Sequence, residues 1–434
     1  RRSADGGMLA SSSVPAATKR QKITAEGCFA AIAFDIDGVF KYGRNWSPDG
    51  LGALQKCEEA GIPFVFVTNG GGGLTEATYA AQFADKVKSA AREGTPEALP
   101  PINPEQMLLS YSPWKESLAP HLIEKRVLLV GDPKEKVLNV AESYGLKNVT
   151  HYEDYATMHA TINPFRQAQK SGTSHTAVAN SSVASLASAD VQDKDPFAAI
   201  LVMCDPYAWF EALQVCVDVL CSPTPIQLEF DPAAPYMPVH FSNPDVLWKT
   251  QHPYTARPPP RLLSTAHVRI RFRQAHLNSS SAALCHCSWA RFGQGAFKIA
   301  LRALYATKLR HLRVPEETHD ERIASSFKQW GKPTDSTFRF LEARLRSLAP
   351  DSAQQPKAER FYMIGDNPAS DMEGVRRANI FHRTAALPEK STSWAGILVR
   401  TGVFKDGDET NLAEVVTDGV AGAVEYVLKK EGKA

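Results

Sequence analysis

Phe34-Asp35-Ile36-Asp37-Gly38-Val39 decides how the whole chain is read. Two carboxylates stand two residues apart, after the apolar run Phe29-Ala30-Ala31-Ile32-Ala33-Phe34 and directly before a glycine. In a buried parallel strand, residues i and i+2 face the same side. At the strand's C-terminal end, where the chain turns at Gly38, both carboxylates can enter one crevice. Like charges that close repel unless a cation or a shared proton relieves them. The segment is therefore either an ordinary strand end with two solvated aspartates or a centre of chemistry, and its surroundings must decide.

Working outward, a helix is expected after Pro48, through Leu51, Leu54 and Cys57, stopping at Gly61. Ile62-Pro63-Phe64-Val65-Phe66-Val67 is a second strand-length apolar run, ending at Thr68-Asn69-Gly70. A third strand lies near Met107–Ser110. Strand–helix–strand–helix–strand at this spacing reads as a parallel α/β sheet with helices on its faces. Ligands of such sheets bind beyond the strand C-termini, where Asp35, Asp37 and Thr68 stand.

Further on, a strand is expected over Arg126–Val130, a helix over Pro133–Tyr144 and a strand over Phe197–Met203. Asp205 is expected to cap a helix over Tyr207–Leu220, with Pro206 in its first turn. A strand near Met237–Ser242 runs into Asn243-Pro244-Asp245, where Asn243 and Asp245 are candidates for a substrate or hinge role, or a plain turn. Helices are expected over Phe297–Leu312 and from Pro333 to Leu348. A strand over Phe361–Ile364 ends in Gly365-Asp366-Asn367, and a helix from Pro368 carries Asp371. A last strand covers Ile397–Val399, and a closing helix is expected over Leu412–Lys430.

Four separated segments thus place polar groups at strand ends or helix starts: Asp35/Asp37, Thr68-Asn69 with Gly70–Gly73, Gly331-Lys332-Pro333, and Gly365-Asp366 with Asp371. Each alone has a bland reading, as a surface lysine, a helix-face carboxylate or an ordinary turn. Together, in this order, they suit phosphoryl transfer through a carboxylate nucleophile. Asp35 would attack phosphorus, and Asp37 would serve as general acid, then general base. Mg²⁺ held by Asp35, Asp366 and the Asp37 carbonyl would bridge nucleophile and phosphate. Thr68 and the amides of Asn69 and Gly70 would bind phosphoryl oxygens. Lys332 would neutralise the remaining charge, and Asp371 would orient Lys332 or a metal-bound water.

These segments resemble the four motifs of the haloacid-dehalogenase superfamily, and the intact Asp37 resembles its phosphatases rather than its dehalogenases. The long stretch between the second and third motifs resembles class II, with an α/β cap of the C2 type. Leu108–Pro113, Ser242–Trp248, Arg291–Gly295 and Thr401-Gly402-Val403 look like the cat-eye-syndrome-critical-region subfamily of class IIA. The likeness covers 29–160, 196–249 and 291–430. It implies a Rossmann-like core with a parallel sheet from 28–111 and 326–434, and an inserted α/β cap over 112–325. It also implies a Mg²⁺ cofactor, a small phosphorylated metabolite as substrate, a homodimer through the cap and a mitochondrial location, with the cytoplasm as the other address. The runner-up function is a catalytically idle scaffold subunit of a larger assembly.

Composition narrows the partners. Hydrophobic residues make up 43% and charged ones 22%, and the net charge is +2, so no overall nucleic-acid signature exists. Basic residues concentrate in two stretches. Residues 1–27 carry Arg1, Arg2, Lys19, Arg20 and Lys22 against Asp5 and Glu26, and read as a disordered or matrix-targeting segment. Residues 251–290 carry Arg257, Arg261, Arg269, Arg271 and Arg273 with no acid. This second stretch separates two blocks that lie close together in the subfamily, and reads as retained intron sequence, a lineage-specific loop or a basic anchoring arm. Its Cys285-His286-Cys287 is not read as a metal site, and the Ser/Ala-rich stretch 167–191 is expected to be a mobile loop. Seven scattered cysteines without a CxxC pair fit reduced thiols. No apolar run approaches the roughly 18 residues of a membrane span.

Overall fold

The computed structural model describes residues 28–96, 98–159, 162–163, 195–222, 236–248, 291–349, 358–384, 391–404, 410 and 412–433. The stretches 1–27, 167–191 and 251–290, and the expectations attached to them, lie outside these residues.

Two parallel sheets organise the chain. Its strands in order are β1 (Cys28–Phe34), β2 (Lys41–Tyr42), β3 (Asn45–Trp46), β4 (Phe64–Val67), β5 (Met107–Leu108), β6 (Val127–Val130), β7 (Val149–His151) and β8 (Ala199–Val202). They continue with β9 (Val239–Phe241), β10 (Leu247–Trp248), β11 (Arg291–Phe292), β12 (Phe327–Gln329), β13 (Ala358–Gly365), β14 (Ser391–Val399) and β15 (Val415–Thr417). The first sheet has the order β15-β14-β13-β1-β4-β5, and the second β12-β9-β8-β6-β7. The pairings within both are parallel.

Every residue of β1 is buried, as a parallel strand covered on both faces requires. Its alternate residues serve two different cores. Ala30, Ile32 and Phe34 pack on one side with the helices Gly50–Glu59 and Glu76–Ala90, and Phe29, Ala31 and Ala33 on the other with Phe338, Leu341 and Trp394. The second sheet divides likewise. Leu128 and Val130 face their own core with the helices Trp209–Cys221 and Gln294–His311, while Val127 and Leu129 join the cluster that holds Ile32 and Phe34. One apolar cluster therefore runs from core to cap, through Tyr111, Trp114 and Tyr144.

β1 lies between β4 and β13, which the chain reaches in opposite directions, so its C-terminal end is the switch point where such sheets bind ligands. An aromatic stack supports that end: Phe34, Phe40, Phe66 and Phe83 pack with ring centroids 4.5–5.9 Å apart.

The structure moves several expected boundaries. The closing helix starts only at Val420, and the β-branched run before it forms edge strand β15. The Thr150 segment forms strand β7, which periodicity over so short a stretch does not reveal. Asp205 is not a helix cap. That helix begins at Trp209 without a side-chain cap, and the Tyr207 amide donates instead to Asp132 Oδ2 at 2.6 Å. The cap sheet takes in Phe327–Gln329 and so passes the boundary expected at 325. β10 and β11 pair antiparallel, Trp248 opposite Arg291, which brings the two blocks on either side of 251–290 together. No helix among the described residues is long and apolar enough to cross a membrane.

Candidate active site

Asp35 follows β1 directly, its amide donating to the Ile364 carbonyl at 2.8 Å. Its Oδ1 accepts from the Ile36 amide at 2.8 Å and lies 2.8 Å from Lys332 Nζ. Lys332 Nζ stands 2.7 Å from Asp371 Oδ1, and Asp371 Oδ2 accepts from the Asn367 amide at 3.1 Å. All these side chains are buried: Asp35 is 6% exposed, Lys332 2%, Asp366 4% and Asp371 0%. Carboxylate oxygens of Asp35, Asp366 and Asp371 lie within 4.8 Å of one another.

Three buried carboxylates face one ammonium, so the cluster carries excess negative charge. Burial pushes the Asp35 carboxyl well above the usual carboxylate range; Lys332 opposes this, and Asp371 and Asp366 add to it. Burial alone would make Lys332 easier to deprotonate, but Asp35 and Asp371 outweigh it and hold the ammonium charged. An all-oxygen, negatively charged, buried donor set suits a hard divalent cation. Asp35 and Asp366 fit it best, because both oxygens of Asp371 already accept from Lys332 and Asn367.

The chain makes room for these carboxylates with glycines. A Cβ on Gly38 would lie 2.2 Å from Asp366 Oδ2, and one on Gly402 1.7 Å from the same atom. A Cβ on Gly365 would lie 2.2 Å from Asp371 Oδ2. The Val403 amide donates to Asp366 Oδ2, and Thr401 Oγ1 donates to the Gly38 carbonyl at 2.6 Å. Thr401-Gly402-Val403 is thus part of the site. The sequence showed it as a recognisable block but gave it no role, because its partners are far away in the chain.

Asp37 parts from Asp35. Its side chain is 55% exposed and pairs with Lys41 at 3.2 Å. A Cβ on Gly70 would lie 3.7 Å from Asp37 Oδ2, so the carboxylate overlooks the loop after β4. There Thr68, which is buried, accepts from the Gly70 amide at 2.9 Å through Oγ1. That bond turns the Gly70 N–H toward Thr68 and leaves the Thr68 proton to be donated elsewhere. Tyr111 steadies the loop by donating to the carbonyls of Gly71 at 3.1 Å and Leu74 at 2.6 Å.

From the cap, Asp245 reaches the site and accepts from Asn69 Nδ2 at 3.1 Å. Burial raises its carboxyl, with Asn69 and Lys332 opposing. Asn243 works within the turn: its Oδ1 accepts from the Asp245 amide at 2.7 Å, and its own amide donates to Gln294 Oε1 at 2.7 Å. It shapes the turn that presents Asp245. Gln294, which stood in a recognisable block without a role in the sequence, is buried and ties this turn to the helix it starts.

Comparison with known proteins agrees with this picture. Residues 32–147 match the family described as haloacid dehalogenase-like hydrolase. The chain is 28% identical over 427 residues to a mitochondrial hydrolase of Saccharomyces cerevisiae, covering 92% of this chain and 96% of that one. It is 25% identical over 413 residues to a cardiolipin synthase (CMP-forming)/mitochondrial hydrolase fusion protein of Schizosaccharomyces pombe, covering 94% of this chain and 54% of that one. It spans about half of that fusion protein. A hypothetical protein of Pyrococcus horikoshii shares the fold, with TM-score 0.51 and 15% identity over 92% of this chain and 99% of that one. The chain is thus similar to haloacid dehalogenase-like hydrolases over residues 32–147, homologous to the yeast mitochondrial hydrolase over nearly its whole length, and alike in fold to a putative NagD protein.

Proposed function

We propose that this protein is a Mg²⁺-dependent phosphatase that hydrolyses a small phosphate monoester through an aspartyl-phosphate on Asp35. The observation that carries this reading is the buried cluster at the end of β1, where Lys332 Nζ stands 2.8 Å from Asp35 and 2.7 Å from Asp371, beside Asp366.

A carboxylate oxygen of Asp35 attacks phosphorus. The new O–P bond forms as the ester P–O bond breaks, and the leaving oxygen takes a proton from Asp37. Water then attacks the phosphorus of the acyl phosphate and gives its proton to Asp37. The bond to Asp35 breaks, inorganic phosphate departs and the carboxylate is restored. The exposure of Asp37 at the mouth suits exchange with water, and the burial of Asp35 suits a nucleophile shielded from it. Thr68, its hydroxyl oriented by Gly70, donates to a phosphoryl oxygen with the amide of Asn69, and Lys332 offsets the charge. A divalent cation held by Asp35 and Asp366, with Asp371 behind, would neutralise the charge that brings two anions together. The cap excludes water and limits substrates to small esters.

We place the chain in the cat-eye-syndrome-critical-region group of class IIA, on the motif blocks that carry that resemblance, and in the mitochondrion, in line with the names of its fungal relatives. The experiment is hydrolysis of a generic aryl phosphate with Mg²⁺. Asp35→Asn is expected to lower kcat by about 10³-fold or more. Turnover that survives this substitution would sink the nucleophile assignment.

A further inference from the structure

We propose that Asn69 is a positioning residue that latches the cap to Lys332, so that seating of Asp245 sets the backbone from which the Lys332 ammonium reaches the reaction centre. For its kinetic consequence this rests on the phosphoryl-transfer reading. The latch itself rests on geometry alone.

The Asn69 amide is used on both sides. Its Oδ1 accepts from the Lys332 amide at 2.7 Å, and its Nδ2 donates to the Lys332 carbonyl at 2.9 Å. One side chain thereby grips both polar backbone groups of the residue whose Nζ lies between Asp35 and Asp371. The second Nδ2 proton crosses to the cap and reaches Asp245 Oδ1 at 3.1 Å. An ionised carboxylate only accepts, whereas an amide has a donor end and an acceptor end. Asp245 can therefore face only the Nδ2 end. In that orientation Oδ1 points at the Lys332 N–H, so Asp245 reinforces the amide rotamer that grips both backbone groups of Lys332.

Asp245 is presented on a stiff mount. Its amide donates to Asn243 Oδ1 at 2.7 Å, and its carbonyl accepts from the Gly295 amide at 2.9 Å. Gln294 Nε2 donates to Ser242 Oγ at 3.1 Å, and Ser242 Oγ donates to the Met203 carbonyl at 2.7 Å. On the facing side, Gly331 has φ +84°, and a Cβ there would lie 2.6 Å from the Ser242 carbonyl oxygen and 2.7 Å from Pro244 Cδ. Cap turn and Lys332 segment are thus in direct contact, and a shift of the turn is felt at Lys332.

The test compares the full-length protein with Asn69→Ala, Asp245→Ala and the double variant, by two readouts. The first is hydrogen exchange at the Lys332 amide, which requires no turnover. The latch predicts that Asp245→Ala speeds this exchange about tenfold, although Asp245 makes no hydrogen bond to that amide, while exchange in β1 and β4 stays as in the parent. The second is kcat and KM for an aryl phosphate with Mg²⁺. Each single variant is expected to lose about tenfold in kcat with KM within about twofold, and the double variant to match Asn69→Ala rather than multiply the losses. Unchanged exchange at Lys332 in Asp245→Ala overturns the latch, as do multiplicative losses in kcat. A parent protein without hydrolysis refutes the phosphatase reading, and the exchange measurement then decides the latch by itself.

Discussion

Both parallel sheets of this molecule end strands in aspartates, and they treat them differently. After β1 and β13, Asp35 and Asp366 converge with Asp371 around one ammonium, with carboxylate oxygens within 4.8 Å of each other. After β6, β8 and β9 stand Asp132, Asp205 and Asp245. Asp132 Oδ2 accepts from the Tyr152 hydroxyl at 2.7 Å and the Tyr207 amide at 2.6 Å. Asp245 accepts from Asn69, and Asp205 Oδ1 is buried with no hydrogen-bond partner among the described residues. The same topology thus yields a concentrated buried charge cluster at one sheet and a shaped wall at the other. Strand ends supply the place, and Lys332 with the glycine cradle supplies the concentration of charge.

The comparison breaks first if the cation is removed. Lys332→Met removes the ammonium that pairs with the buried Asp35 and Asp371. Stability at pH 7 is expected to fall by about 3–5 kcal/mol, and kcat/KM by at least about 10²-fold. Burial already raises the Asp35 carboxyl, so without Lys332 it binds a proton more tightly when folded than when unfolded, and its cost is borne above its folded pKa and relieved below it. Unfolding by denaturant at pH 7 and pH 5 should therefore show the variant regaining part of its loss in acid. An equal deficit at both values would mean that Lys332 acts through packing and not charge.

Next comes the cradle. In Gly402→Ala the new methyl would sit 1.7 Å from Asp366 Oδ2, so the carboxylate must leave its place. Overpacking of this kind costs about 1–3 kcal/mol. The sharper expectation is a roughly tenfold rise in the Mg²⁺ concentration that half-saturates activity, with a matching loss of thermal stabilisation by Mg²⁺. An unaltered Mg²⁺ titration would remove Asp366 from the metal site.

The same contrast explains what could be read in advance. β1 was legible because burial on both faces demands a continuous apolar run, and Asp35 because a charge at the end of such a run is costly without a purpose. Lys332 and Asp371 look like ordinary surface residues, and only their order relative to the two strand-end motifs picked them out. Thr401-Gly402-Val403 was visible as a block but not as a function, because the reason for Gly402 is a carboxylate 36 positions earlier that only folding brings near. β15 was hidden inside an apolar stretch that suits a helix equally well, and β7 was too short to show a period. The role of Asn69 was legible only in part. Its backbone was read as a phosphate donor, and nothing in the sequence pointed to its side chain, which bonds Lys332 and Asp245.

Asp205 offers a smaller and opposite test. Burial is the main cause that raises its carboxyl to about 6, with Asp245 adding to it. In the unfolded chain it ionises near 3.9. Above pH 6 the folded protein bears the full cost of the charge, between 6 and 4 the cost fades as the folded state takes up the proton, and below 4 it is gone. Asp205→Asn is therefore expected to raise stability by about 1–3 kcal/mol at pH 8, and the gain should shrink as pH falls toward 4. Denaturant unfolding across this range checks it. A gain independent of pH would show that the orphaned oxygen carries no charge cost.

The smallest effect is expected from the largest change. β10 and β11 register Leu247 against Phe292 and Trp248 against Arg291, and the Gly293 amide donates to the Val246 carbonyl at 2.9 Å. The backbone that mounts Asp245 is therefore closed by residues on either side of 249–290, and the ends of that segment meet across one ladder. Replacing 249–290 with Asn-Gly gives the ladder a two-residue turn of the kind that fits its twist. It also shortens the connection, and the entropic cost of closing a connection rises only slowly with its length. Stability should not fall, and kcat/KM should stay within about twofold of the parent. A variant that folds but turns over poorly would show that the cap wall depends on chain outside the two sheets, and the contrast between a built centre and a passive wall would have to be redrawn.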